Sequence, residues 1–385
     1  MFKKIRILHI IKTLNFGGAE ENLLNLIQQF DARRFEVHVA YSSGGELEDE
    51  FKKSGIQLLK FAQESYKLKN AASVLIIWRL VFYILRKKID IVHTHTFNAH
   101  IWGSISAKLT GRKIVEHVHD SRYQNPEEFK RRGETSRQYK HIRCLRNISD
   151  RVVVLTKQNF DFVIQNKINK QENVREIQNG IPLDKIRQFT DSEKNGLRQE
   201  LDIPVKARVV LTPTRFAPEK NTELILKIAP KVKAAVPECL FVVAGDGSLL
   251  YDFRRNVEDL DLGNIVKTPG FYPDVQELLS ISDIFLLPSK LELHSIAILE
   301  AMSMKVPVIV SRDVGCNSEF IEDWQNGVLL NPFNDAGWAE ASINLLNNEF
   351  LRKTIGEKGH QTCRERFDIR DAAIKLEELY VELAS

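Results

Sequence analysis

Short apolar runs bounded by turn residues alternate along the chain with segments whose apolar positions recur every three or four residues. Residues 5–11 predict a strand and 18–30 a helix; further strands are expected at 37–41, 89–93, 113–118 and 152–155. After Asn179-Gly180 the pattern weakens through a polar stretch at 190–202, then resumes with strands at 209–212, 239–244, 265–268, 284–287 and 307–311. These runs are rich in Val, Ile and Leu and lack polar alternation, which suits strands covered on both faces in a parallel sheet. The pattern predicts two doubly wound α/β units joined near residues 180–205. In such units ligands bind beyond the carboxyl ends of the strands, and two facing units would bring those ends to a shared cleft. A last helix at 369–383 has apolar residues at helical spacing and is expected to pack back on the first unit.

Size and composition agree with this division. A chain of 385 residues exceeds the usual extent of one hydrophobic core, and 43% hydrophobic with 28% charged residues is ordinary for a soluble enzyme. Cys144, Cys239, Cys316 and Cys363 have neither metal-ligand nor redox spacing and read as reduced thiols of a cytoplasmic protein. The apolar run at 7–11 is too brief for a secretory segment, and the run at 71–85 contains Arg79 and falls short of the roughly 20 residues that span a bilayer.

The net charge of +4 conceals an asymmetry: residues 1–185 carry 32 basic and 20 acidic side chains (+12), and 186–385 carry 23 and 31 (−8). A basic half points to an anionic partner. Nucleic acid is not expected, because no recognition motif or stacking platform accompanies the charge. The basic stretch from Arg122 to Arg151, together with Trp78, Phe82, Tyr83 and Arg86-Lys87-Lys88, suits peripheral contact with an anionic membrane.

Candidate chemistry gathers at the ends of the expected strands. Gly17 and Gly18 follow the first strand and open a helix, where the backbone can approach a bound group closely. The spacing is not that of a dinucleotide fingerprint, which argues against a nicotinamide enzyme. His93, His95, His117 and His119 end two strands; their spacing matches no zinc signature, and no metal is expected. In the second unit Arg215 and Lys220 are placed to hold phosphate. Gly245 and Phe271 end neighbouring strands and are candidate walls for a nucleotide. Glu292 lies in the loop after the strand at 284–287, Ser295 is the expected N-cap of a helix reaching about Lys305, and Ile296 and Glu300 lie in its first turns. Carboxylates accept hydrogen bonds from sugar hydroxyls, and a helix start attracts phosphate, so the site suits a ligand that is part phosphate and part sugar.

Gly17-Gly18-Ala19-Glu20, His119-Asp120, Asn179-Gly180, Arg215 with Lys220, Gly245-Asp246-Gly247 and the stretch from Glu292 to Glu300 follow one another in an order that resembles a family-4 retaining glycosyltransferase. The resemblance covers nearly the whole chain. It implies a GT-B fold, with Rossmann-like domains at 1–185 (acceptor side) and 186–368 (donor side), and a C-terminal helix at 369–385. It implies transfer of a hexose or N-acetylhexosamine from a nucleotide-diphosphate sugar, UDP favoured over GDP, to a glycan or lipid-linked acceptor at the inner face of the cytoplasmic membrane. Neither cofactor nor metal is implied. By the same resemblance Arg215 and Lys220 neutralise the diphosphate, Glu300 binds the ribose, Glu292 binds the transferred sugar, and His119 sits near the anomeric centre.

One departure stands out. Related enzymes read Glu-Gly-Phe-Gly or something close where this chain has Glu292-Leu293-His294-Ser295. Losing both glycines removes backbone freedom beside the sugar. A binding subunit without turnover and a sugar-nucleotide epimerase are the alternative readings.

Overall fold

The computed structural model describes residues 3–62, 71–119 and 148–385. The chain forms two compact units, one made of Met1–Gly180 with Ile369–Ser385 and the other of Ile181–Asp368.

The first unit is built on a parallel sheet of seven strands: β1 (Ile5–Thr13), β2 (Phe35–Ser43), β3 (Gln57–Lys60), β4 (Ile91–His95), β5 (Lys113–Val118), β6 (Arg151–Val154) and β7 (Val174–Glu176). Their order is β3-β2-β1-β4-β5-β6-β7, so the winding reverses between β1 and β4. Ile7, Leu8, Ile10 and Ile11 of β1 are all fully buried, as expected of a central strand with helices on both faces. On one face Ile7 and Ile11 meet the C-terminal helix Ile369–Ala384, which buries Leu376, Leu379, Tyr380 and Leu383 there. Each such aliphatic side chain removed from water contributes about 1.5–3 kcal/mol. Polar ties hold the helix as well: Glu377 accepts from the Asp31 backbone N–H at 2.7 Å, and Glu382 pairs with Arg151.

The second unit carries six parallel strands: β8 (Arg208–Pro213), β9 (Cys239–Ala244), β10 (Val266–Gly270), β11 (Ile284–Leu287), β12 (Val308–Ser311) and β13 (Val328–Leu330). Their order is β10-β9-β8-β11-β12-β13, with the winding reversal between β8 and β11. The polar stretch expected to join the units contains the helix Asp191–Glu200. It starts with a capping box in which Thr190 accepts from the Glu193 N–H and Glu193 reaches back to the Thr190 N–H.

The central strands lie close to the expected positions. β3, β7 and β13 were not expected; they are three or four residues long, and all three are sheet edges. Cys239, Cys316 and Cys363 are buried free thiols. Cys144 and the basic residues from Arg122 to Arg146 lie outside the described residues. Among the described residues no helix is long and apolar enough to cross a membrane.

Candidate active site

In the second unit the expected residues meet at the winding reversal. The loop after β8 carries Arg215, Glu219 and Lys220, and the loop after the adjacent β11 carries Ser289 and Glu292. Lys220 Nζ and Glu292 Oε1 form an ion pair across the two loops, with about 18% and 11% of the side chains exposed. Ser289 donates its hydroxyl to the same carboxylate oxygen at 2.9 Å. Arg215 is bound to Glu219 at 2.8 Å and is two-thirds exposed, so its guanidinium faces water.

The Lys220 loop is held rigidly. Asn221 adopts a left-handed backbone (φ 53°), and its side-chain amide donates to the carbonyls of Pro288 at 3.2 Å and Pro332 at 3.0 Å. Asparagine tolerates that conformation better than most residues. The Lys290 backbone N–H donates to the Glu219 carbonyl at 2.7 Å, which ties the two loops together again.

Gly245 directly follows β9 and is required by its backbone. Its φ is 143°, and a Cβ there would fall 1.8 Å from the Thr214 carbonyl oxygen. Gly247 is alike, with φ 148° and a Cβ position 2.4 Å from the Phe216 carbonyl oxygen. The loops after β8 and β9 therefore touch backbone to backbone, and the Gly245 N–H donates to the Gly270 carbonyl at 2.7 Å. Phe271 follows β10 and is half exposed. The sheet order β10-β9-β8-β11 thus sets Phe271, Gly245, Arg215 with Lys220, and Glu292 along one edge.

The helix after β11 runs from Ile296 to Ser303, two residues short of the expected end at Lys305. Ser295 occupies its N-cap with an extended backbone (φ −77°, ψ 117°), but its hydroxyl makes no capping bond, contrary to the sequence-based expectation. Ile296 and Glu300 are half-buried. The Leu293-His294-Ser295 departure is absorbed without strain, since none of the three residues has a positive φ. His294 is buried, its ring centroid 5.9 Å from that of Phe320 and 5.4 Å from that of Phe367. Burial pushes its pKa down to about 4, so the imidazole is a neutral core group at neutral pH. Gly315 packs on the same loop: a Cβ there would lie 2.2 Å from the Leu293 carbonyl oxygen.

In the first unit Gly17 is the N-cap of the helix Gly18–Ile27 in ordinary extended conformation, and an added Cβ would meet the flexible Glu20 carboxylate at 2.7 Å. Neither backbone nor core requires glycine at position 17. Glu20 also accepts from Thr13 at 3.1 Å, and burial raises its pKa. His119, just beyond β5, is half-buried and accompanied by more histidines than its own strand supplies. His9 of β1, His93 and His95 of β4, and His117 of β5 lie beside it on the same face of the sheet. Burial lowers the pKa of all five, to about 3 for His9 and about 4 for His119. Sequence reading passed over His9, Ser289 and Glu219. The lone histidine in the β1 apolar run was visible, but its neighbours are set by the pairing of β1 with β4.

A doubly wound sheet with an ion pair at its winding reversal belongs to the class of folds whose ligands bind at that edge. Comparison with known proteins gives that class its family: residues 16–185 match the family profile described as Glycosyltransferase Family 4, and residues 193–362 match that of Glycosyl transferases group 1. The chain belongs to the family-4, group 1 glycosyltransferases and has their two-domain Rossmann-like GT-B fold. It is 24% identical over 392 residues to the UDP-Gal:alpha-D-GlcNAc-diphosphoundecaprenol alpha-1,3-galactosyltransferase of Escherichia coli, covering 99% of this chain and 97% of that one. It is 23% identical to the capsular polysaccharide biosynthesis glycosyltransferase CapH of Staphylococcus aureus, covering 98% and 99%. Among solved structures, HepE of Anabaena in complex with UDP-glucose superimposes with a TM-score of 0.84 at 21% identity, over 98% of this chain and 99% of that one. Further relatives align over about half of their own length.

Proposed function

We propose that this chain is a retaining, metal-independent transferase. It takes a hexose or N-acetylhexosamine from a nucleotide-diphosphate sugar and passes it to a glycan or lipid-linked acceptor in cell-surface polysaccharide synthesis. The Lys220–Glu292 pair carries this reading. A mostly buried ion pair exposes its partners to desolvation, and a ligand can replace both halves only by offering an anion to the lysine and hydrogen-bond donors to the carboxylate. A diphosphate joined to a sugar offers both. Arg215, two-thirds exposed although paired with Glu219, supplies a second cation for the leaving group, and Ser289 keeps the Glu292 carboxylate aimed while the exchange occurs. Breaking the sugar–phosphate bond builds negative charge on the phosphate, and fixed cations there lower the barrier without a metal ion.

The remaining assignments follow. Gly245, Phe271, Ser295 and Ile296 line the nucleotide, with uncapped amides at the start of the helix Ile296–Ser303 facing phosphate. Glu300 holds the ribose hydroxyls. Gly17, which the fold does not itself require, together with Gly18 leaves room for a closely approaching ligand. His119 contacts the reacting sugar. The UDP named for the Escherichia coli and Anabaena relatives supports a UDP-sugar donor. Glu300→Ala is expected to raise the donor KM by about tenfold or more, because a charge-assisted hydrogen bond is worth about 1.5–3 kcal/mol. Steady-state kinetics with a labelled donor checks this; an unchanged KM would remove Glu300 from the site.

The helix Ala71–Lys87 supports peripheral attachment to a cytoplasmic membrane. Val74, Leu75, Trp78, Phe82 and Leu85 are all exposed, Trp78 at 62% and Phe82 at 65%, and Arg86, Lys87 and Lys88 follow them. Aromatic residues on one face and cations at its end suit the interface of an anionic bilayer. Co-sedimentation with phosphatidylglycerol vesicles is expected for the wild type and lost in Trp78→Ser/Phe82→Ser. Equal sedimentation of both would refute membrane attachment by this helix.

A further inference from the structure

Three of the five clustered histidines form a continuous hydrogen-bonded chain. His9 Nδ1 lies 2.9 Å from His95 Nε2, and His95 Nδ1 lies 3.0 Å from His119 Nε2. Burial keeps every ring neutral at neutral pH. A neutral imidazole has one N–H and one lone pair, so each contact needs a donor on one side and an acceptor on the other. With Nδ1 facing Nε2 at both contacts, the three rings must share one tautomer. Either all carry the proton on Nδ1, or all carry it on Nε2.

The inner end of the chain decides between them. His9 Nε2 is buried and, among the described residues, has no hydrogen-bond partner. An all-Nε2 arrangement would leave an N–H there with nothing to accept it, whereas the all-Nδ1 arrangement leaves a lone pair. Orphaned buried N–H groups are the rarer of the two in folded proteins. The same dead end rules out delivery of protons to bulk water through the chain, so its role is to orient.

We propose that His95, anchored by His9, is a positioning residue that holds His119 as the neutral Nδ1–H tautomer and makes it a hydrogen-bond donor to a sugar or acceptor oxygen. The proposal rests on the reading of His119 as a site residue given above. It assigns His119 a donor's role, one that stabilises developing charge, in place of a general base's.

A metal centre is the competing use of the same nitrogens, since His9, His93, His95 and His95, His117, His119 each bring ligand atoms within 4.8 Å of one another. The ring geometry opposes it. His117 and His119 are stacked 4.1 Å apart with 26° between planes, and His93 and His95 are stacked 4.4 Å apart at 21°. A bound ion must lie in the plane of each imidazole at about 2 Å from its nitrogen. Near-parallel planes at this separation do not converge so close to the rings.

Long-range 1H–15N correlation spectra of the full-length protein labelled with 15N-histidine test the proposal and need no variant. For His119 the expected pattern is a protonated Nδ1 and an unprotonated Nε2 at pH 7.5, with the same pattern for His95 and His9. His95→Phe should release His119 into a mixture of tautomers and lower kcat by about 10²-fold with donor KM little changed. His95→Asn, which restores a donor near the position of Nδ1, should recover part of that loss; His95→Gln should not. A His119 protonated on Nε2, a cationic His119, an unaltered His119 tautomer in His95→Phe, or stoichiometric zinc or nickel bound at the cluster would each overturn the proposal. Full activity in His119→Ala would instead remove His119 from the site while leaving the tautomer assignment standing on its spectra.

Discussion

Lys220→Ala is expected to lower turnover with a nucleotide-sugar donor by about 10²–10³, the usual cost of removing one preorganised group from a developing charge. Two effects combine. The leaving diphosphate loses a cation that Asn221 and the Glu219–Lys290 backbone bond hold in place. In addition, Glu292 is left as a mostly buried carboxylate that keeps the neutral Ser289 hydroxyl but loses its cation, and its charge repels the incoming diphosphate. Lys220→Arg should recover only part of the activity, because a planar fork cannot occupy the place of a compact ammonium. Glu292→Gln separates the two effects: it removes the repulsion, keeps the shape and frees Lys220. It should therefore bind nucleoside diphosphate at least as tightly as the wild type while losing turnover with the sugar donor. Equal loss of nucleotide binding in Glu292→Gln and Lys220→Ala would contradict this division of roles.

The second large effect is on stability in acid. His9, His93, His95, His117 and His119 have folded pKa values below their unfolded value near 6.5. Below that pH the unfolded chain binds protons that the folded chain refuses, so stability is intact above about 6.5 and falls as the pH drops toward the folded values. Each imidazole contributes about 1.4 kcal/mol per pH unit in that window. Glu20 and Glu21 act in the opposite sense, because burial raises both carboxyls, Glu21 to about 7; they favour the fold as pH falls from those raised values toward 4.5. The buried imidazoles outnumber these two carboxyls, so the net stability of the first unit falls as the pH drops below about 6.5. Against a typical total of about 5–15 kcal/mol, the first unit should unfold within a few pH units below neutrality. Hydrogen exchange followed by mass spectrometry at pH 7.5, 6.5 and 5.5 resolves this by unit, with protection of β1 and β4 falling sharply at the lowest pH. Protection of those strands that stays level across the series, after correction for the intrinsic exchange rate, would show that the histidines are charged in the fold.

The sequence revealed the framework and the residues of the site more readily than the contacts among them. Central parallel strands are legible because burial on both faces leaves continuous apolar runs, as in 284–287, where the expected and observed strands coincide. β3, β7 and β13 were missed because a strand of three or four residues carries too few side chains to show a period. Lys220 and Glu292 were each visible at a strand end. Their pairing was not, because it depends on β8 lying next to β11, strands more than 70 residues apart. The histidine chain has the same origin: the pairing of β1 with β4 brings His9 opposite His93, and that of β4 with β5 brings His95 opposite His117. Ser295 shows the converse, a residue of the right type at the right position whose hydroxyl makes no capping bond.

Release of nucleoside diphosphate from a panel of labelled UDP- and GDP-sugars, measured for the wild type, Lys220→Ala and Glu300→Ala with membrane-extracted glycolipid as acceptor, tests the central claim most directly. The expected result is acceptor-dependent release from one donor by the wild type in the presence of EDTA, with the sugar joined in the configuration it had in the donor, and release reduced by about 10² or more in Lys220→Ala. Release at wild-type rates in both variants would place the chemistry elsewhere, and tight donor binding by the wild type with no release from any donor would make this chain a binding subunit.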